Sequence, residues 1–307
     1  MQLIEGHAAA TPAQRGAVLA LGNFDGVHLG HRALIDAARR LAGPTGRAGV
    51  MTFTPHPLAL LAPAAAPRPI TSLARRWELL AAAGCDVVVC EPFTADLAAC
   101  DATTFIDDVL VDALGVAGVV VGPDFAFGAG RSGNAATLRA RGLAVEEVAP
   151  VIVDGAPASS SRVRAALAAG ELAPARSLLG RRWDVDGVVV HGAKRGRAIG
   201  VPTANVAPHS ALLLPLGIYV VWLDVDGRRL PGVASLGTNP TFVDDGATVL
   251  EVHVLDFDGD LYDRTARVTF LERLRGEVRY EGIEPLLAQI RRDIDDARAI
   301  FRRNPTP

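Results

Sequence analysis

The chain is predicted to be an α/β protein in two parts: an N-terminal doubly wound parallel sheet, then a small antiparallel β-barrel with a terminal helix. Three observations predict it. Val-rich apolar runs alternate with helix-period segments through the first half, which argues for a parallel sheet covered on both faces. From Trp183 to about Leu274 the segments shorten and are broken by Gly, Asp-Gly and Pro, the pattern of a small antiparallel barrel. Beyond about residue 282, Ile283, Leu286, Leu287, Ile290, Ile294, Ala297 and Phe301 recur at three or four, which gives a helix one apolar face.

The elements follow in order. AVLALG (17–22) reads as a short buried strand, and Leu34, Ala38 and Leu41 put 31–41 on one helical stripe. GVMTF (49–53) is a strand, and LARRWELLAAAG (73–84) is a helix that Gly84 ends. The strand DVVVCE (86–91), a helix over 103–113 and the strand GVVVG (118–122) continue the alternation. A helix near 134–141, a strand near 144–149 and helices over 160–168 and 171–179 complete the first part. The boundary falls within 170–182, giving domains 1–178 and 179–307. VDGR (225–228) and FDGD (257–260) read as hairpin turns.

Composition narrows the function. A chain of 307 residues is long enough for two cores, and a net charge of −3 offers no basic field for nucleic acid or an anionic membrane. Lys194 is the only lysine. Cys85, Cys90 and Cys100 form no CxxC and suit a reducing compartment. No run of about 18 apolar residues is present, and the first residues lack the basic-then-apolar pattern of a signal peptide. The expectation is a soluble cytosolic protein, its oligomeric state left open.

In an open parallel sheet, ligands bind at the carboxyl ends of the strands. GNFDGVHLGH (22–31), FTPHP and GPDFAFG all follow strands directly and should gather at that edge. Gly22, Gly30 and their neighbours let backbone N–H groups approach phosphates, while His28 and His31 supply donors as charge develops. The same histidines could instead cap a helix or pair on a metal, although no third ligand is obvious nearby. SSSRVR (159–164), with Ser160, Ser161 and Arg164 before a helical run, forms a second anion site or an ordinary N-cap.

HxGH early and SS[ST]xxR late on one α/β domain resemble the nucleotidyltransferase superfamily, in which both motifs close on a triphosphate. GNFDGVHLGH, TFTPHP, ITSL, VVVGPDFAFGAGRSG and SSSRVR stand in the order seen in bacterial FAD synthetase modules. GVVVHGAKRGRAIGVPTAN (187–205) and LEVHVLDFDGDLY (250–262) resemble a riboflavin kinase. Over residues 15–300 the chain is similar to the bifunctional prokaryotic riboflavin kinase/FAD synthetase family. The resemblance implies ATP and Mg²⁺ as cofactors, and riboflavin and FMN as substrates.

It also implies site residues. In the synthetase part, Gly22, Asn23, Phe24, Asp25, Gly30, Ser160 and Ser161 would bind ATP, with His28, His31 and Arg164 catalytic. His56, Asp124 and Arg131 would face FMN, although His56 could merely shape its loop and Asp25 could cap a turn. In the kinase part, Gly192, Lys194, Gly196, Arg197, Gly200 and Pro202 would cradle phosphates, Thr203 and Asn205 would hold the metal, and Glu251 would be the base. Alternation puts Glu251 and His253 on one strand face, opposite Leu250, Val252 and Val254. The chain departs from the family pattern at Thr54, Pro157, Ser161 and Val201. Pro157 stands where a basic residue is common, so a live kinase with a weak synthetase is the first alternative. A flavin binder without turnover is the second.

Overall fold

The computed structural model describes residues 1–192, 196, 199–238 and 248–303. It divides into two compact units, Met1–Arg68 with Leu73–Ser160, and Pro69–Ser72 with Ser161–Pro307.

The first unit is built on β1 (Gln2–Glu5), β2 (Val18–Leu21), β3 (Ala48–Thr54), β4 (Val87–Pro92), β5 (Gly118–Val121) and β6 (Val145–Glu147). They form one sheet in the order β1-β4-β3-β2-β5-β6, and every pair is parallel. A separate antiparallel pair, β7 (Ile152–Val153) and β8 (Ala156–Pro157), follows. Strand alternation sorts the core into two layers. Leu19, Leu21, Met51, Val87, Val89, Val119 and Val121 face one way, against Phe105, Ile106, Val109 and Leu110. Val18, Ala20, Val50, Val88 and Val120 face the other, against Ile35, Ala38 and Leu80 of the helices Leu29–Ala42 and Leu73–Ala82. The chain runs from β2 outward through β3 to β4 on one side and from β5 to β6 on the other. The order therefore reverses between β2 and β5, where the carboxyl ends open a crevice.

Three details depart from the sequence expectation. The edge strand β1 carries no apolar run, since only Ile4 of its four residues is buried. The first long helix starts at Leu29 because the His28 side chain caps it. Residues Phe105–Ala113 adopt π-helical hydrogen bonding, entered through a short α-turn capped by Asp101.

In the second unit, β9 (Asp184–Val190), β10 (Ala204–Pro208), β11 (Gly217–Val225), β12 (Arg228–Thr238), β13 (Thr248–Val254) and β14 (Thr265–Arg275) close an antiparallel barrel in the order β10-β13-β12-β11-β14-β9. Trp183, Phe270 and Tyr219 fill it, with ring centroids 5.2 Å apart for Trp183–Phe270 and 5.5 Å for Tyr219–Phe270. Asp226 and Gly227 take positive φ in a two-residue β11–β12 turn, as VDGR predicts. FDGD is not a tight turn. It lies inside the longer connection 255–264, because β13 ends at Val254 and β14 begins at Thr265.

The terminal helix Ile283–Arg303 lays Ala297 and Ile300 on the barrel, and Arg275 of β14 grips its buried Asp293 through both Nε and Nη2. Among the described residues no helix is long and apolar enough to cross a membrane.

Candidate functional site

The loop after β2 is locally strained. Phe24 and Val27 hold φ values of 48° and 44°, beside Gly26 at 80°, in a region that side chains other than glycine rarely enter. Surrounding contacts impose that shape. Phe24 is fully buried in the core. The Thr52 hydroxyl donates to the Asn23 carbonyl at 2.9 Å, and Arg76 reaches the same oxygen at 3.3 Å. Arg76 Nη2 lies 3.0 Å from Asp25 Oδ1, a pair buried on both sides. The Ser160 hydroxyl donates to the Asp25 carbonyl at 2.9 Å.

The loop ends on the histidine pair. His28 Nδ1 accepts the His31 backbone N–H at 3.3 Å, so the neutral ring carries its proton on Nε2. The two imidazoles stack with centroids 3.6 Å apart, and His31 leans on Phe24 at 4.9 Å. Space at Gly30 is tight: a Cβ on it would meet the His28 ring at 3.0 Å and the Ala158 carbonyl at 3.2 Å. The cap and the phosphate reading are thus compatible, because one ring nitrogen caps the helix and the other remains a donor.

The Asn23 amide touches His56 Nε2 at 3.1 Å, which draws the loops after β2 and β3 together. Phe125 and Phe127 stack at 5.6 Å, and Phe127 meets Phe105 at 5.5 Å. These rings anchor a loop on which Asp124 and Arg131 are exposed. Ser161 is exposed and Arg164 half-buried on the helix Ser160–Ala168, both in the second unit. Asp25, read from sequence as an adenylate, metal or turn residue, has its carboxylate turned to Arg76. Arg76 itself carries no signal in the sequence beyond being one arginine on an amphipathic helix.

On the barrel, one register row crosses four strands. Asn205 pairs with Val190 of β9 and with Glu251 of β13, and Glu251 pairs with Ser235 of β12. Leu250, Val252 and Val254 point into the barrel, so Glu251 stands on its outer face beside Asn205. Gly192 lies so close that a Cβ would be 2.2 Å from Asn205 Nδ2, and one on Gly196 would be 2.2 Å from the Val201 carbonyl. Gly200 turns with φ 79° just before Pro202 and Thr203. Lys194 and Arg197 lie outside the described residues. Pro202 and Thr203 also line a cavity of about 490 Å³ with Val252, Phe257, Asp260 and Tyr262.

Comparison with known proteins makes the chain a transferase with two activities. A family model described as FAD synthetase matches residues 10–162, and one described as riboflavin kinase matches residues 179–301. The chain is 42% identical over 305 residues to the bifunctional riboflavin kinase/FMN adenylyltransferase of Pseudomonas fluorescens, covering 98% of each. It is 42% identical over 311 residues to the protein of the same name from Escherichia coli strain K12, again covering 98% of each. A crystal structure described as a macrolide-efflux protein from Streptococcus pneumoniae superposes with a TM-score of 0.88 at 31% identity, over 97% of this chain and 98% of that one. The chain belongs to the bifunctional riboflavin kinase/FMN adenylyltransferase family. It phosphorylates riboflavin to FMN and adenylylates FMN to FAD, with ATP as the donor in both reactions.

Proposed function

We propose that the parallel-sheet part, residues 1–178, carries adenylyl transfer and the barrel part, residues 179–307, carries phosphoryl transfer. The observation that carries this division is the Asn205–Glu251 pair on the outer barrel face, far in sequence from the stacked His28 and His31.

In the kinase reaction the primary hydroxyl of riboflavin attacks the γ-phosphorus of ATP and ADP leaves. Such a hydroxyl is a poor nucleophile at neutral pH, and Glu251 accepts its proton. Thr203 and Asn205 offer a hydroxyl and an amide oxygen, hard donors that fit Mg²⁺. When bound, the ion offsets charge on the ATP phosphates. Gly192 and Gly196 let the backbone lie close to Asn205 and Val201, and Gly200 supplies a positive φ before Pro202, a glycine-rich setting suited to phosphate oxygens.

In the synthetase reaction the FMN phosphate is already an anion and needs no base. It attacks the α-phosphorus of ATP, and pyrophosphate leaves. The protein holds two repelling anions in line. His28 donates from Nε2, His31 joins it from the helix start, and Ser160, Ser161 and Arg164 complete the grip on the phosphates. Asp25 and Arg76 keep the loop in shape. Asp124 and Arg131 sit toward FMN. The three free cysteines support a cytosolic setting.

The test is a time course with riboflavin, ATP and Mg²⁺ that separates riboflavin, FMN and FAD. Glu251→Gln should make no FMN yet convert supplied FMN to FAD. His28→Ala with His31→Ala should stop at FMN. If either variant loses both reactions while folded, the division of labour is wrong.

A further inference from the structure

We propose that His253 is a positioning residue of the kinase reaction, its ring holding the Pro202–Thr203 turn against Glu251. The inference rests on the assignment of Glu251, Thr203 and Asn205 to phosphoryl transfer.

His253 follows Glu251 by two residues on β13, so the two share the outer face of the barrel. The β10–β13 ladder begins at Ala204, opposite Val252. Residues 202 and 203 therefore enter the site without a ladder partner on β13, although Thr203 is one of the residues the reaction needs held still. His253 supplies what the ladder omits. Its Nδ1 lies 2.8 Å from the Pro202 carbonyl oxygen. A carbonyl only accepts, so Nδ1 carries the proton and the ring is fixed in the Nδ1–H tautomer when neutral. Pro202 has no N–H of its own, and its fixed φ leaves the carbonyl as the handle on this turn. The bond extends the pairing of β10 with β13 by one step, using a side chain in place of backbone. Continuing the register beyond Ala204–Val252 brings position 203 opposite 253, directly beside the Asn205–Glu251 pair.

Among the other histidines with a described Nδ1 contact, His28 and His56 accept backbone N–H groups there, whereas His7 meets the Glu91 carboxylate and shares the Nδ1–H form. The tautomer of His253 is readable without ligand, and its signal is assigned by its loss in the His253 variant.

The experiment uses the full chain as wild type, His253→Ala, His253→Asn and Glu251→Gln. The Asn amide places a donor near the position of Nδ1. His253→Ala should raise the kinase KM for Mg·ATP about threefold to tenfold, the size of one neutral hydrogen bond. KM for riboflavin and the rate of FMN adenylylation should stay at wild-type values, and His253→Asn should recover most of the loss. Side-chain ¹⁵N correlation spectra of the ligand-free protein should contain an Nδ1–H imidazole signal that His253→Asn removes. An unchanged KM for Mg·ATP in His253→Ala, an equal rise in KM for riboflavin, no rescue by asparagine, or an Nε2–H tautomer for His253 each overturns the inference. If Glu251→Gln still phosphorylates riboflavin, the underlying site assignment fails instead. If Glu251→Gln is dead and His253→Ala is normal, only the role of His253 fails.

Discussion

Arg76 and Asp25 form an ion pair at 3.0 Å with side-chain exposures of 8% and 4%, directly beneath the loop that presents His28 and His31. The guanidinium also touches the Asn23 carbonyl. It therefore ties two points of a backbone that holds positive φ at Phe24 and Val27. Removing one partner strands a buried charge, at a cost of about 3–5 kcal/mol. Arg76→Met should lower the denaturation midpoint of the sheet unit and cut FAD formation. Asp25→Asn combined with Arg76→Gln should recover stability while leaving adenylylation slow. A single variant with unchanged stability would show the pair to be incidental.

Two glycines should separate the reactions without touching a reacting group. Gly30→Ala would press a methyl on the His28 ring and the Ala158 carbonyl. FMN adenylylation should fall while riboflavin phosphorylation persists. Gly192→Ala would drive a methyl into the Asn205 amide. That variant should lose kinase activity and keep adenylylation. Steady-state rates with riboflavin and with FMN as separate substrates check both.

Asp293 ties the terminal helix to the barrel through Arg275, whose pKa is held above its ordinary value mainly by the Asp293 hydrogen bond. Asp293→Ala should cost about 3 kcal/mol, because it leaves the arginine facing a buried, empty position. The expected readout is a lower thermal midpoint for the kinase activity, with the synthetase inactivating as before.

Cys85 gives a pH prediction. Burial, reinforced by Asp86 and opposed by Arg39, pushes its thiol from 9.0 up to about 12. A group with a raised folded pKa contributes stability below its unfolded value and loses it as pH climbs toward the folded one. Stability should therefore decline between pH 9 and about 12, and Cys85→Ala should flatten the decline. At pH 8 iodoacetamide should spare Cys85 until the protein unfolds.

The fold was legible where periodicity was clean. The Val-rich strands, the helix Leu29–Ala42, the barrel run and the terminal helix all carry their spacing in the residues. Strand β1 was not legible, since an edge strand with one buried side chain has no alternation to read. The π-helical bonding at 105–113 was hidden because an amphipathic stripe looks much the same at nearby periods. FDGD misled because Asp-Gly marks a turn but not the length of its loop. At the sites, motif residues stood out by type and order. Arg76 and His253 act through distant backbone carbonyls, and nothing local in a sequence records such a partner.

The barrel's closure has a consequence for how this enzyme can change. Val190, Asn205, Glu251 and Ser235 stand abreast on four adjacent strands, each step set by the roughly 4.8 Å interstrand spacing. A ring of strands with no free end cannot slide by one residue without turning every outward side chain inward. The row is thus a fixed gauge. Specificity can drift through its flanks instead: the connection at 255–264, the residues about Pro202, and the side chains chosen to clasp them.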